Sequence, residues 1–303
     1  MGDDVIGDNV AATDAVADWL QAGTYVDTPD GRAFVRDEPA RSPDGSPPLL
    51  VVHGFPTCSF DFRPVLDRLS EHRRVVLVDQ LGFGLSDKPD RRYGIHLHAD
   101  TIEAVAAHLR LHTVDLLTHD MGDSVGGELL ARSLGGRLRF RIRRRVLTNG
   151  SIYLDLAQLT VGQQLLMSLP DEAAELIGRD GYLTSLANTM AEPDRAPRAE
   201  LDPQWELLCH DGGQRLLPRT IRYLEDRRAE ERRYTGAIEE HPSELGVVWG
   251  TEDPIAVVAM TDRLASARPH VRVTRLEGVG HYPMVEAPDR FAEAVLRYLD
   301  PTD

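Results

Sequence analysis

Six short apolar runs, at about 49–53, 74–79, 114–118, 145–149, 245–249 and 271–275, constrain the fold of this 303-residue chain more than any other feature. Helical stretches separate the earlier runs. Strand–helix alternation of this kind predicts a mostly parallel sheet flanked by helices, the α/β class. The alternation lapses once. Residues 150–243 hold no convincing strand but carry helical pattern at 154–169, 205–209 and 218–233. We therefore expect a core built from 22–150 and 241–303, an inserted helical cap at 151–240, and an acidic leader with a short helix at 1–21. Residues 24–37, turning at Pro29-Asp30-Gly31, predict an opening antiparallel hairpin. A Pro/Gly/Ser loop follows at 42–48.

The third run leads into the chemistry. The segment Val114-Asp-Leu-Leu-Thr-His-Asp-Met-Gly-Asp-Ser-Val-Gly126 reads as strand, sharp turn and helix. Small residues around such a turn let one side chain stand exposed above the sheet. Gly122-Asp-Ser124-Val-Gly126 matches G-x-S-x-G and nominates Ser124, whereas Thr118-His-Asp120-Met-Gly122 places an aspartate in the same geometry. Position favours Asp120. It follows the strand directly, while a nucleophilic Ser124 would require the buried strand to run on through His119, Asp120 and Met121.

Two partners lie downstream in the order nucleophile, acid, histidine. Leu245-Gly-Val-Val-Trp-Gly-Thr-Glu-Asp253-Pro is a strand with Asp253 just past its end, and Glu277-Gly-Val-Gly-His281-Tyr-Pro is a Gly-rich loop carrying one histidine. Catalytic groups in open parallel sheets gather beyond the carboxyl ends of strands, so Asp120, Asp253 and His281 are expected to converge. Asn149 and Glu252 are the next positions for the acid. The first run ends in His53-Gly54-Phe55-Pro56, where this arrangement takes its second oxyanion-binding amide. The amides of Phe55 and Met121 are assigned to the hole; His53 and His119 are expected to brace loops.

His53-Gly-Phe-Pro, Asp79-Gln-Leu-Gly-Phe-Gly-Leu-Ser-Asp87, His119-Asp-Met-Gly, Trp249-Gly-Thr-Glu-Asp253 and Gly280-His-Tyr-Pro together resemble the α/β-hydrolase superfamily over about 48–300. Within it they resemble the aspartate-nucleophile branch that holds epoxide hydrolases and haloalkane dehalogenases. Gly82-Phe-Gly-Leu-Ser-Asp-Lys-Pro, the Gly122-Asp123 pair and Leu147-Thr-Asn-Gly-Ser also resemble the mesoderm-specific-transcript group. The resemblance implies hydrolysis through an alkyl ester on Asp120, with no metal or organic cofactor and a small apolar epoxide or halide as substrate. Haloalkane dehalogenases carry a tryptophan after the nucleophile, where this chain has Met121, and the arginines that fluoroacetate-type dehalogenases carry near the elbow are absent. Epoxide hydrolases carry a cap tyrosine at a place that Tyr223 resembles, with Tyr153 or Tyr182 as a second proton donor and Trp205 as a candidate halide ligand. Epoxide opening is thus the expected activity. Its alternatives are dehalogenation, ester cleavage by Ser124 and a non-catalytic relative.

Composition narrows the remaining classes. A net charge of −15 argues against nucleic acid, whose phosphates need basic surface. The locally basic stretch 137–145 reads as a solvated edge. Without a long apolar run or a basic leader before one, neither membrane insertion nor secretion is expected. Cys58 and Cys209 are the only cysteines, which fits a cytoplasmic setting.

Overall fold

The structure is a computed structural model that describes residues 14–171 and 178–300. Its centre is an eight-stranded sheet in the order β1-β2-β4-β3-β5-β6-β7-β8. The strands are β1 Thr24–Thr28, β2 Gly31–Glu38, β3 Leu49–Val52, β4 Val75–Val78, β5 Thr113–His119, β6 Arg141–Thr148, β7 Glu244–Gly250 and β8 Arg272–Leu276. β1 and β2 form the expected hairpin, and β2 runs antiparallel to β4; every later pairing is parallel. β3 and β4 are buried along their whole length, as strands covered on both faces must be.

The flanking helices are α1 Asp14–Gln21, α2 Arg63–Leu69, α3 Ile95–His108 and α4 Met121–Leu134 before the insertion. α5 Val161–Ser168, α6 Arg179–Ala187, α7 Arg198–Cys209, α8 Leu217–Thr220, α9 Tyr223–Ala229 and α10 Glu231–Glu240 lie between β6 and β7. α11 Ala259–Ala267, α12 Pro283–Glu286 and α13 Pro288–Leu299 complete the set. No helix among the described residues is long and apolar enough to cross a membrane. Of the acidic leader, residues 1–13 lie outside the described residues.

Two expectations about local structure need correction. The helical run expected at 218–233 is three short helices, with Arg222 and Glu230 at the breaks. The stretch 154–169 is helical only from Val161, where Thr160 and Gln163 form a reciprocal capping box. A third correction concerns the basic stretch 137–145, which runs into β6 and is not simply a solvated edge. Arg145 is fully buried and donates to the carbonyls of Ile238 and His241. Arg143 and the buried Arg73 clamp the Asp115 carboxylate at 2.5 and 2.7 Å. That ion cluster sits at the start of β5 and β6, at the opposite end of the sheet from the residues that follow.

Candidate active site

β5 runs one residue past Thr118, through His119, and Asp120 makes the turn into α4 with φ 49° and ψ −117°. A non-glycine residue in that region of backbone space is strained and persists where its surroundings over-determine it. The surroundings here are close-packed backbone. A Cβ at Gly122 would lie 2.3 Å from the Val52 carbonyl oxygen, and one at Gly54 would lie 2.5 Å from the Asp120 Cβ. Both positions therefore require glycine. Ser124 lies on the first turns of α4 and is buried.

The elbow presents the Asp120 carboxylate to two backbone amides. Phe55 donates to Oδ2 at 2.8 Å, and Met121 also bonds the carboxylate. These are the two amides assigned to the oxyanion hole. Burial raises the Asp120 carboxyl above the ordinary aspartate value, against the pull of His281 and the two amides.

His281 Nε2 lies 3.7 Å from Asp120 Oδ1, and His281 Nδ1 is 2.8 Å from Asp253 Oδ2. Asp253 is itself held: Oδ1 accepts from the amides of Ile255 at 2.7 Å and Ala256 at 3.0 Å, and Oδ2 accepts from Asn149 Nδ2 at 2.8 Å. Asn149 takes its own orientation from the Gly250 amide, 2.9 Å from Oδ1. Burial alone would depress the His281 imidazole, but Asp253, by charge and hydrogen bond, and Asp120 outweigh it and raise it to about 9. His119 Nε2 lies 2.8 Å from the His281 carbonyl oxygen, and His53 Nε2 accepts from the Gln80 amide at 3.0 Å. Glu252 is solvent-exposed.

A cavity of about 240 Å³ opens on this cluster, walled by Phe55, Leu166, Leu186, Leu217 and Ile255, with His281, Tyr282 and Tyr182 among the polar contributors. Tyr223, the first residue of α9, is buried with its ring 6.0 Å from that of Phe55. Its hydroxyl makes no hydrogen bond among the described residues, and burial, then the charge of Asp120, keep it un-ionised. The Tyr182 hydroxyl is buried without a hydrogen-bond partner among the described residues. Tyr153 is placed elsewhere, with Arg263 4.3 Å above its ring and its hydroxyl donating to Glu239 at 3.0 Å. Trp205 packs behind Tyr182 at 5.8 Å and does not line the cavity. Among the described residues no group of three His, Cys, Asp or Glu side chains is arranged to hold a metal ion.

Two residues of the site escape sequence reading. Asp61 is buried behind the hole; it accepts from Thr57 Oγ1 at 2.6 Å and Gln204 Nε2 at 2.8 Å, and burial raises it to about 8. A carboxylate between two phenylalanines, Phe60-Asp61-Phe62, was the available signal. Arg227 is buried four residues after Tyr223, on the same face of α9. Its signal was only that spacing.

A profile of the alpha/beta hydrolase family matches residues 49–294. LipZ of Mycobacterium tuberculosis is 42% identical over 287 residues, 94% of this chain and 98% of its own. The human mesoderm-specific transcript homolog protein is 29% identical, covering 94% of this chain and 88% of its own. Among solved structures, the epoxide hydrolase CorEH aligns with a TM-score of 0.76 at 17% identity, covering 92% of this chain and 98% of its own. A haloalkane dehalogenase variant from Bradyrhizobium elkanii aligns with a TM-score of 0.73 at 18% identity, covering 91% and 95%.

Proposed function

The chain belongs to the alpha/beta hydrolase family, and within it we propose that it opens an epoxide to a vicinal diol through an alkyl ester on Asp120. The observation that carries this reading is the pairing at the elbow. A carboxylate stands where a hydroxyl would serve ester cleavage, and Tyr223, whose hydroxyl has no protein partner among the described residues, packs its ring 6.0 Å from that of Phe55, the residue whose amide binds the carboxylate.

In the first step an Asp120 oxygen attacks a ring carbon. The ring C–O bond breaks, its electron pair goes to the oxygen, and that oxygen takes the Tyr223 proton. This is covalent catalysis, which divides one difficult step into two. Esterification also removes the Asp120 charge that helps hold the His281 proton, so the imidazole releases that proton more readily and reaches the neutral form that can act as a base once the ester has formed. In the second step His281 takes a proton from water as the oxygen adds to the ester carbonyl. The amides of Phe55 and Met121 hold the oxyanion, collapse expels the diol oxygen, which recovers the proton from His281, and the proton left on the Asp120 carboxyl returns to the Tyr223 phenolate.

The apolar cavity supports a small, uncharged epoxide as the substrate. Incubation with styrene oxide and with 1-bromobutane, scoring diol and bromide release, tests the proposal. Diol from the first substrate is the expected result. Bromide release without diol would give the function to dehalogenation, and activity on esters alone would return it to Ser124.

A further inference from the structure

The histidine loop is held by a carboxylate that the mechanism above does not use. Glu286, the last residue of α12, accepts from three backbone amides. Its Oε2 accepts from Gly280 at 2.8 Å and its Oε1 from Tyr282 at 2.9 Å, so these two bonds bracket His281. The third bond leaves the loop. Oε2 also accepts from the amide of Ala191 at 2.9 Å, in the insertion between β6 and β7. A carboxylate that only closed its own turn would have no need of a partner 95 positions away.

The backbones at this seam are in equally close contact. His281 donates its own amide to the Thr189 carbonyl at 2.9 Å. A Cβ at Gly280 would lie 2.6 Å from the Ala191 nitrogen and 2.7 Å from the Thr189 oxygen, so only glycine fits there. Residues 189–191 follow closely on α6, and Tyr182, Leu186 and Thr189 wall the cavity. The cavity wall and the backbone of the base therefore share one set of hydrogen bonds. Asp253 fixes the imidazole ring through Nδ1, while Glu286 and the insertion fix the backbone that carries the ring. Amide bonds to an ionised oxygen are roughly twice as strong as neutral ones.

We propose that Glu286 is a positioning residue for the base, its carboxylate fastening the His281 loop to the insertion segment 189–191 so that cavity wall and base keep one geometry. The inference deepens the reaction proposed above, and the part of it that concerns ester hydrolysis rests on that reading. A displacement of about 1 Å in a reacting group costs roughly 10²-fold in rate. Glu286 also directs charge at the ring. Against burial, which lowers the imidazole, Asp253 and Asp120 raise it, and Glu286 adds to them. The other titratable groups that face His281 are Asp61, His119 and Tyr282, and all of them are kept in the variants below.

The test compares the wild type with Glu286→Gln, Glu286→Asp and, as a control for removing a nearby charge, Glu277→Gln, whose side chain is exposed. Single turnovers of styrene oxide separate ester formation from ester hydrolysis. NMR follows the titration of the His281 imidazole, and hydrogen exchange the amides of residues 189–191 and 280–282, both without substrate. Only hydrolysis needs the base. Glu286→Gln should form the ester at close to the wild-type rate but hydrolyse it roughly 10²-fold more slowly on the pH plateau, so that ester accumulates. Its His281 midpoint should fall, because a charge that holds the proton is gone, and the bonded amides should exchange faster. Glu286→Asp keeps the charge but is one methylene too short for all three amides, so hydrolysis should slow while the midpoint moves less. Glu277→Gln should match the wild type throughout. Hydrolysis at the wild-type rate in Glu286→Gln would overturn the proposal, as would equal slowing of both half-reactions with an unmoved midpoint. If Glu286→Gln does not fold, Glu286→Asp carries the test, and wild-type hydrolysis there overturns it too. A lowered midpoint and faster exchange in Glu286→Gln, with no ester from styrene oxide in the wild type, would preserve the positioning role and refute the epoxide reading.

Discussion

At the scale of single residues the site depends on groups whose protonation is set by burial. Asp61 shows this away from the reacting atoms. Its folded-state value of about 8 lies far above that of an aspartate in the unfolded chain, so its contribution to stability is complete below about pH 4 and is lost as pH rises toward 8. Asp61→Asn keeps the shape and the contacts with Thr57 and Gln204 without the titration. Its unfolding free energy relative to the wild type should therefore rise on the order of 2–4 kcal/mol between pH 5 and pH 8. Urea melts at the two pH values measure it, and parallel behaviour of the two proteins would contradict it. Asp120, Asp253 and His281 were legible in the sequence because Asp120 follows its strand directly, Asp253 lies just past the end of the next-to-last apolar run, and His281 sits in the Gly-rich loop after the last one. Asp61 and Arg227 were not, because neither ends a strand; their proximity to the site arises from how the first turn after β3 and the helix α9 pack around Phe55.

At the scale of elements, α9 brings the Tyr223 ring against that of Phe55. The sequence pattern marked a helical region there, but its division into α8, α9 and α10 was hidden, since the breaks at Arg222 and Glu230 carry neither glycine nor proline. The division matters for function, because a seven-residue helix can set Tyr223 and Arg227 against the core independently of the longer α10. Hydrogen-bond donation to an alkoxide strengthens as the charge develops, so it accelerates the step itself. Tyr223→Phe should lower epoxide turnover by roughly 10²- to 10³-fold while leaving thermal unfolding unchanged, since only a hydroxyl is lost. Halide displacement needs no proton and should be hardly affected. Steady-state rates on both substrates check this, and full epoxide activity in Tyr223→Phe would remove the residue from the mechanism. Tyr153 illustrates the converse. It lies just before the stretch 154–169 that the pattern read as helical, and its hydroxyl is taken by Glu239 under the Arg263 guanidinium.

At the scale of the whole molecule, the two ends of the sheet serve different purposes. The carboxyl ends of β3, β5, β6 and β7 deliver Phe55, Asp120, Asn149 and Asp253, while the other end of β5 carries the Asp115 clamp. The alternation of apolar runs announced the parallel sheet, and the clamp was missed because a stretch rich in arginine ordinarily faces water. Removing Asp115 leaves the buried Arg73 with Asp300 as its remaining partner, so Asp115→Ala should destabilise the fold by about 3 kcal/mol, measured by urea unfolding, with little change in the activity of the folded fraction. A loss below about 1 kcal/mol would place the clamp with ordinary surface pairs. The account as a whole turns on a covalent ester at the elbow. His281→Ala removes the base needed only for the second step, so incubation with styrene oxide should trap that ester. Mass spectrometry of the digested protein should then find the mass of one styrene oxide added to the peptide that contains Asp120, and fragmentation should assign it to the Asp120 carboxyl. An adduct on Ser124, or diol released by His281→Ala at the wild-type rate with no adduct, would contradict the account.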